Sequence, residues 1–467
     1  MDLRGQGLAV ASEVGHRLRQ AGPARNLGIQ RFKPALRLVL GLALLVVLGT
    51  LALRWPGCGN QRALTWSEAF FTSVSALATT GLSIITPGKD LSLLGQWVLL
   101  VLIQLGGVGY MVLSVAVFLL LGRSVTLDDR VTLRDSLGLV STASILRILR
   151  IVLWGVFSIE VAGALILWLL WAPEFGWARA AYLGFWHSIS AFCNASFDLF
   201  SGSPTAPAGF PTDAGTLLTL SWLVILGSMG IPVISDLWRW RPGGRVSLHT
   251  RLTLVTVALL LVGGTALLFV GFSQPGDLFS DAPWHRRLLM AWFHSATART
   301  SGFVLEDLSQ MDASNVLVLS LLMFVGGSPA SMGGGITTST LAVLILAVVA
   351  QIRGRSQIAV GGRRLPAEFV QKAAAVLVLS GVFCMTIAWL LLVTQQASLD
   401  EALFETTSAF STCGFTLGLT SRLDGFGQGL IALAMFCGRL GVLTVVVALT
   451  RVRPSLVQYP EEKILMG

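Results

Sequence analysis

The sequence predicts an all-α membrane protein built from four helix–pore loop–helix repeats, with eight transmembrane helices. Three observations predict it. The 467 residues are 54% hydrophobic and only 12% charged, about half the charged fraction of a typical soluble chain. Eight apolar runs are each long enough to cross a bilayer. Four shorter stretches rich in Ser, Thr, Phe and Gly lie between alternate pairs of those runs.

A span needs about 20 apolar residues to cross roughly 30 Å of hydrocarbon. The runs fall at 35–53, 91–121, 145–172, 214–238, 252–272, 315–350, 368–394 and 427–450. The intervening stretches, 66–83, 182–198, 289–304 and 402–416, are too short to cross. Irregular backbone at membrane depth is tolerated only where protein buries it or it lines a wet cavity, so four re-entrant segments imply a pore. Residues 1–33 are basic, and the first apolar run starts too late and runs too long for a signal peptide. Most of the 33 Lys and Arg residues fall on one side, including Arg123, Arg130, Arg239, Arg251, Arg353, Arg363, Arg451 and both termini. The positive-inside rule makes that side cytoplasmic and the protein a multi-pass component of the cell membrane. The net charge of +9 is spread between apolar runs, which argues against nucleic acid. Five scattered cysteines form neither a metal nor a disulfide framework.

Aligned without gaps, the four stretches read Ser75-Ala-Leu-Ala-Thr-Thr-Gly81-Leu82, Ser190-Ala-Phe-Cys-Asn-Ala-Ser196-Phe197, Ala296-Thr-Ala-Arg-Thr-Ser-Gly302-Phe303 and Ser408-Ala-Phe-Ser-Thr-Cys-Gly414-Phe415. Their seventh positions are successively 115, 106 and 112 residues apart. That period divides the chain into a cytoplasmic N-terminal segment (1–34), repeats at 35–121, 122–238, 239–350 and 351–450, and a cytoplasmic tail (451–467). A short helix that stops at mid-membrane directs its partly negative carbonyl end at a cation. The extended residues after it can present backbone carbonyls in place of a hydration shell. Four such segments make a closed selectivity filter around a pseudo-fourfold pore. Its lining would be Thr79, Thr80 and Gly81; Asn194, Ala195 and Ser196; Thr300, Ser301 and Gly302; and Thr412, Cys413 and Gly414.

The sixth run is interrupted at 326–339. Gly326, Gly327, Ser328, Pro329, Gly333, Gly334 and Gly335 place five glycines and a proline within ten residues. That composition destroys a helix, at about 1 kcal/mol per Gly and 3 per Pro. With no preceding strand and no Gly-Lys-Ser/Thr, it is not a nucleotide cradle; a flexible loop below the filter is the expectation. Arg439 stands inside the last apolar run, where a charge needs a partner or a wet cavity. Arg299 is expected to point behind the filter, toward carbonyls, Glu405 or Asp198. His187 and His294 are expected to be packed and hydrogen-bonded, and Glu160 to be a satisfied interhelical group. Tryptophans including Trp55, Trp97, Trp171, Trp177, Trp284 and Trp292 suit an interfacial belt.

These motifs, with Gly438-Arg-Leu-Gly441 and Tyr459-Pro-Glu-Glu-Lys-Ile464, resemble the Trk/Ktr/HKT potassium transporter superfamily, and within it the KtrB-type membrane subunit. The resemblance runs from about residue 35 to the C-terminus. It implies pore-type K⁺ uptake by a homodimer seated on a cytoplasmic ring of nucleotide-binding regulatory (KtrA-type) subunits, no cofactor in this chain and no enzymatic activity. It also implies that 326–339 is an intramembrane gating loop, with Arg439 as an electrostatic barrier beside it. Two residues depart from the pattern. Ser196 stands where the family has a filter glycine, and in related plant transporters such a serine accompanies a preference for Na⁺. Thr337 stands where members often have Lys. The alternatives are therefore a Na⁺-permeable or Na⁺-preferring member, or a Na⁺/H⁺-coupled secondary transporter, although the latter would show two inverted halves.

Overall fold

The computed structural model describes residues 34–109, 145–203, 209–240, 246–355, 357–360 and 363–449. Residues 110–121 of the second apolar run, the basic stretch 123–144 and the tail motif Tyr459–Ile464 lie outside them. In chain order the described helices are α1 (Pro34–Leu53), α2 (Trp66–Ala78), the single turn α3 (Pro87–Asp90) and α4 (Leu93–Gly107). Then follow α5 (Ile145–Phe175), α6 (Trp177–Phe192), α7 (Ala214–Ser228), α8 (Ile231–Arg239), α9 (Leu248–Gly271) and α10 (Trp284–Thr297). The remainder are α11 (Ala313–Phe324), α12 (Thr338–Ile352), α13 (Ala367–Gln395), α14 (Leu399–Ser411), α15 (Gly425–Leu440) and α16 (Val442–Leu449). One two-stranded hairpin, β1 (Ala359–Val360) with β2 (Arg363–Arg364), separates α12 from α13.

Every apolar run contains helix. Among the described residues three helices are long and apolar enough to cross a membrane, Leu153–Phe175, Leu248–Gly271 and Ala367–Gln395, or up to five if each bent pair is one span. Large apolar side chains such as Leu259, Val262, Val382 and Met385 stand exposed along them. Such a surface suits lipid and not water. The chain is thus a multi-pass membrane protein.

Two runs expected as single spans are sharply bent. Ala214–Ser228 meets Ile231–Trp238 at 101°, and Gly425–Leu440 meets Val442–Ala448 at 91°. Gly230 (φ 83°) and Gly441 (φ 79°) occupy the breaks in the left-handed region, and Pro232 follows the first of them. Hydropathy reports that a run is apolar, not that it keeps one direction. The tryptophans also divide: Trp55, Trp97, Trp177 and Trp284 are exposed, but Trp171 is buried, donating Nε1–H to Thr216 Oγ1 at 2.8 Å.

The four Ser/Thr/Gly-rich stretches begin as α2, α6, α10 and α14. Thr65 with Glu68 and Ser398 with Glu401 close capping boxes at the starts of α2 and α14, which satisfies helix N–H groups that would otherwise lack partners. The C-terminal halves of all four helices are buried.

Candidate functional site

The chains leaving α2, α6 and α14 share one backbone geometry. Thr79, Asn194 and Thr412 are left-handed (φ 54°, 56° and 53°), and two residues later Gly81, Ser196 and Gly414 again have positive φ (88°, 58° and 105°). In each, the middle residue donates its N–H five residues back to a serine carbonyl: Thr80 to Ser75 (2.8 Å), Ala195 to Ser190 (2.8 Å) and Cys413 to Ser408 (2.9 Å). The serine hydroxyls tie down the extended residues as well. Ser75 Oγ accepts from Gly81 N (3.0 Å), Ser408 Oγ accepts from Gly414 N (3.1 Å), and Ser190 Oγ donates to Phe197 O (2.8 Å).

The third segment is built differently, and this corrects the ungapped alignment. No residue from 298 to 302 has positive φ, and Ser301 N–H reaches only four residues back, to Thr297 O at 2.8 Å. This turn is one residue tighter, because it omits the left-handed residue. Thr297, not Ala296, takes the serine's place, but its hydroxyl is spent on Phe293 O (2.7 Å). The third segment leans instead on the fourth, with Gly302 N–H donating to Cys413 O at 2.6 Å and Cys413 Sγ facing the carbonyls of Thr297 and Ala298 at 3.6 and 3.2 Å.

The four segments touch in sequence around a closed circuit. A Cβ on Gly81 would lie 2.4 Å from Ser196 Cβ. Asn194, with its amide turned as its surroundings dictate, accepts from Thr300 Oγ1 at 3.0 Å. Gly302 bonds Cys413, and a Cβ on Gly414 would lie 2.2 Å from Thr80 O. Gly414 therefore needs to be glycine twice over, for its φ and for this approach. Ser196 Oγ donates to Cys413 O at 2.7 Å, so one carbonyl oxygen receives both Ser196 and Gly302.

Behind the circuit, the residue three before the anchoring serine holds the chain on its way out. His187 Nδ1 pairs with Leu183 O (2.8 Å) and Nε2 accepts from Leu199 N–H (3.2 Å). Glu405 Oε1 accepts from Thr420 N–H (2.9 Å) and from the Thr416 hydroxyl. With the gap included, His294 falls at the same position, stacked on Phe415 with its Nδ1 paired to Met290 O at 2.9 Å. Its Nε2 has no hydrogen-bond partner. Both histidines are packed, as expected. Arg299 is 1% exposed, and no nitrogen of its guanidinium has a hydrogen-bond partner. Neither carboxylate named from the sequence serves it, since Asp198 Oδ1 caps Phe200 and Ser201 N–H and Glu405 Oε1 faces its own chain. Glu160 is satisfied between helices, accepting from Gln104 Nε2 at 3.2 Å, with Cys193 Sγ 3.8 Å away.

The Gly-rich stretch 326–339 lies directly against these segments. Its backbone docks on the first bend: Ser328 N to Ser228 O (2.9 Å), Met332 N to Gly227 O (3.1 Å) and Ile231 N to Ala330 O (3.0 Å). On the other side Gly335 N donates to Gly438 O (3.3 Å) and Gly334 N to Thr412 Oγ1 (2.8 Å). Thr79 Oγ1 donates to Met332 O (2.9 Å). Gly333 approaches Thr300 so closely that a Cβ would sit 2.1 Å from its methyl group. Thr337 caps α12, accepting from Thr340 N–H. Arg439 completes the arrangement. Its guanidinium donates to Met332 O, Thr79 Oγ1 (3.2 Å), Gly106 O and Gly107 O (3.4 Å). The last two are carbonyls at the end of α4, the negative pole of that helix.

A family described as TrkH, cation transport protein, matches residues 43–458. The chain belongs to that family. Among curated relatives it is 36% identical over 410 residues to Ktr system potassium uptake protein B of Vibrio alginolyticus, covering 86% of this chain and 89% of the relative. It is 32% identical over 448 residues to the protein of the same name in Bacillus subtilis, covering 94% and 97%. Potassium/sodium uptake protein NtpJ of Enterococcus hirae is 30% identical over 447 residues, covering 94% and 98%. Among solved structures, the potassium transporter TrkH from Vibrio parahaemolyticus superposes with a TM-score of 0.71 at 20% identity, covering 92% of this chain and 87% of that one; this likeness is one of fold. The family is described as one of cation transport proteins.

Sequence reasoning overlooked the anchoring serines as a set, although Ser at the first position of three aligned lines was their signal. It also overlooked the Gly106 and Gly107 carbonyls that receive Arg439, for which backbone offers no signal.

Proposed function

We propose that this chain is the pore-forming subunit of a K⁺ uptake system, with four repeats disposed about a pseudo-fourfold axis. The carbonyls of residues 79–81, 194–196, 300–302 and 412–414 form its selectivity filter. The observation that carries the reading is the closed circuit of four buried segments, each meeting the next. Polar backbone at membrane depth is stable only when protein or a wet path surrounds it. The stretch 326–339 is the gate, held below the filter by Thr79, Thr412 and Arg439, and Arg439 opposes cation passage while the loop is in place. Both termini are cytoplasmic by the positive-inside rule. The names of two relatives, components of Ktr systems, support K⁺ as substrate and accessory subunits; a homodimer on a nucleotide-binding ring is the assembly proposed. The test is Rb⁺ uptake in K⁺-starved cells lacking their own transporters: uptake that saturates and is competed by K⁺ is expected, and none at any K⁺ concentration would refute the function.

A second reading, Na⁺ permeation, is favoured by Ser196. Its hydroxyl occupies the Cys413 carbonyl oxygen, which weakens one ligand of the ring. A relative named as a potassium/sodium uptake protein supports it too. Ser196→Gly is expected to raise Rb⁺ uptake relative to Na⁺ uptake; an unchanged ratio removes this reading.

A further inference from the structure

The connection from α12 to α13 carries a concentration of charge that the pathway does not use. Residues 353–372 hold five basic side chains, Arg353, Arg355, Arg363, Arg364 and Lys372, against one acid, Glu368. All five are exposed, and among the described residues none forms a hydrogen bond or an ion pair through its side chain. Backbone hydrogen bonds place four of them. Arg353 and Arg355 close the end of α12, donating N–H to Val349 O (3.1 Å) and Ala350 O (2.9 Å). Arg363 and Arg364 form β2, paired with Val360 and Ala359, and Leu365 N donates to Ile358 O (2.9 Å) to extend the ladder.

The neighbours of these charges indicate what they face. Ile352, the last residue of α12, is 78% exposed, and Phe369, in the first turn of α13, is 56% exposed. Large apolar side chains adjacent to guanidinium groups, where two apolar helices end, match a bilayer boundary. There the apolar groups enter the acyl region and the charged heads reach the phosphates. A soluble partner approaching from the aqueous side would take the charges and leave Ile352 and Phe369 uncovered. We infer that this hairpin and its flanking helix ends bind anionic phospholipid headgroups.

The site is also connected to the gate. α12 starts at Thr338, immediately after the Gly-rich stretch, and ends at this hairpin, so lipid that fixes the hairpin fixes the helix from which the loop emerges. That consequence rests on the transport reading above; lipid binding does not.

Native mass spectrometry of the purified full chain tests it with two probes, phosphatidylglycerol and phosphatidylcholine. Wild type is expected to retain phosphatidylglycerol preferentially. The variant R353Q/R355Q/R363Q/R364Q is expected to lose that preference by about tenfold or more, since each basic group near an anionic surface contributes severalfold. The corresponding four Arg→Lys changes keep the charge and are expected to keep the preference. Equal retention of the two lipids by wild type, or undiminished preference in the Gln variant, overturns the inference; the second result is what a hairpin serving a soluble protein would give. In proteoliposomes, Rb⁺ uptake by wild type is expected to fall when phosphatidylcholine replaces phosphatidylglycerol. Lipid preference with no uptake in either composition would leave the lipid site standing and count against the transport reading alone.

Discussion

The fourth Ser/Thr/Gly-rich segment is held by its own helix, whereas the third leans on its neighbours. Ser408 holds the backbone on both sides of Cys413, through its carbonyl to Cys413 N–H and its hydroxyl to Gly414 N–H, and Glu405 holds the chain on its way out. The third segment has Ala296 and an occupied Thr297 in place of that serine, and His294 Nε2 lacks a hydrogen-bond partner. Beyond the Ser301 bond to its own helix, its fixed points are Gly302 on Cys413, Thr300 on Asn194 and Thr300 against Gly333. One wall of the circuit therefore depends on its own helix. The other depends on the second and fourth segments and on the loop that follows it in the chain, a loop that also bonds Thr79 and Thr412.

The sharpest way to break this comparison is Gly414→Ala. The backbone conformation alone costs roughly 1–3 kcal/mol for a residue with a Cβ, and the contact with Thr80 O adds to it. Rb⁺ uptake at normal expression is expected to disappear, and uptake within about twofold of wild type would contradict the role given to that position. Next in size is Ser408→Ala, which leaves the buried Gly414 N–H without a partner at about 1–3 kcal/mol. Uptake and thermal stability in detergent should both fall. Ala296→Ser is the control, since no serine function exists at that position in the third segment; a loss as large as that of Ser408→Ala would mean the ungapped alignment was right after all.

That alignment shows where reading from sequence stops. Eight apolar runs and four Ser/Thr/Gly stretches were legible, because hydropathy and spacing record burial and period. The missing residue before Gly302 was not, since Ala296-Thr297 has the same small and hydroxyl side chains as Ser-Ala in the reverse order, and the shift shows in the Ser301 to Thr297 hydrogen bond and the absence of a positive φ at 298–302. The bends at Gly230 and Gly441 were hidden by continuous apolarity. A charge at Arg439 signalled a partner, yet its acceptors are mostly carbonyls, which every residue has. Arg299 was expected to bond carbonyls, Glu405 or Asp198, and its guanidinium nitrogens have no hydrogen-bond partner.

The smaller effects sharpen the account of the loop. Arg439→Ala removes the donors to Met332, Thr79, Gly106 and Gly107. Resting Rb⁺ flux is expected to rise by about fivefold, a little under 1 kcal/mol of gate stability, the net size of an ordinary intramolecular hydrogen bond. Unchanged flux would place the guanidinium outside the gate. Thr412→Val takes the acceptor from Gly334 N–H and should raise resting flux by less, about two- to threefold, in the same assay.

Density for the ion itself tests the central claim most directly. In a structure determined with Rb⁺, anomalous signal is expected on the axis between Gly81, Ser196, Gly302 and Gly414, within coordinating distance of carbonyls from all four segments. Rb⁺ bound away from these residues, or coordinated by only one or two of the segments, would contradict the account.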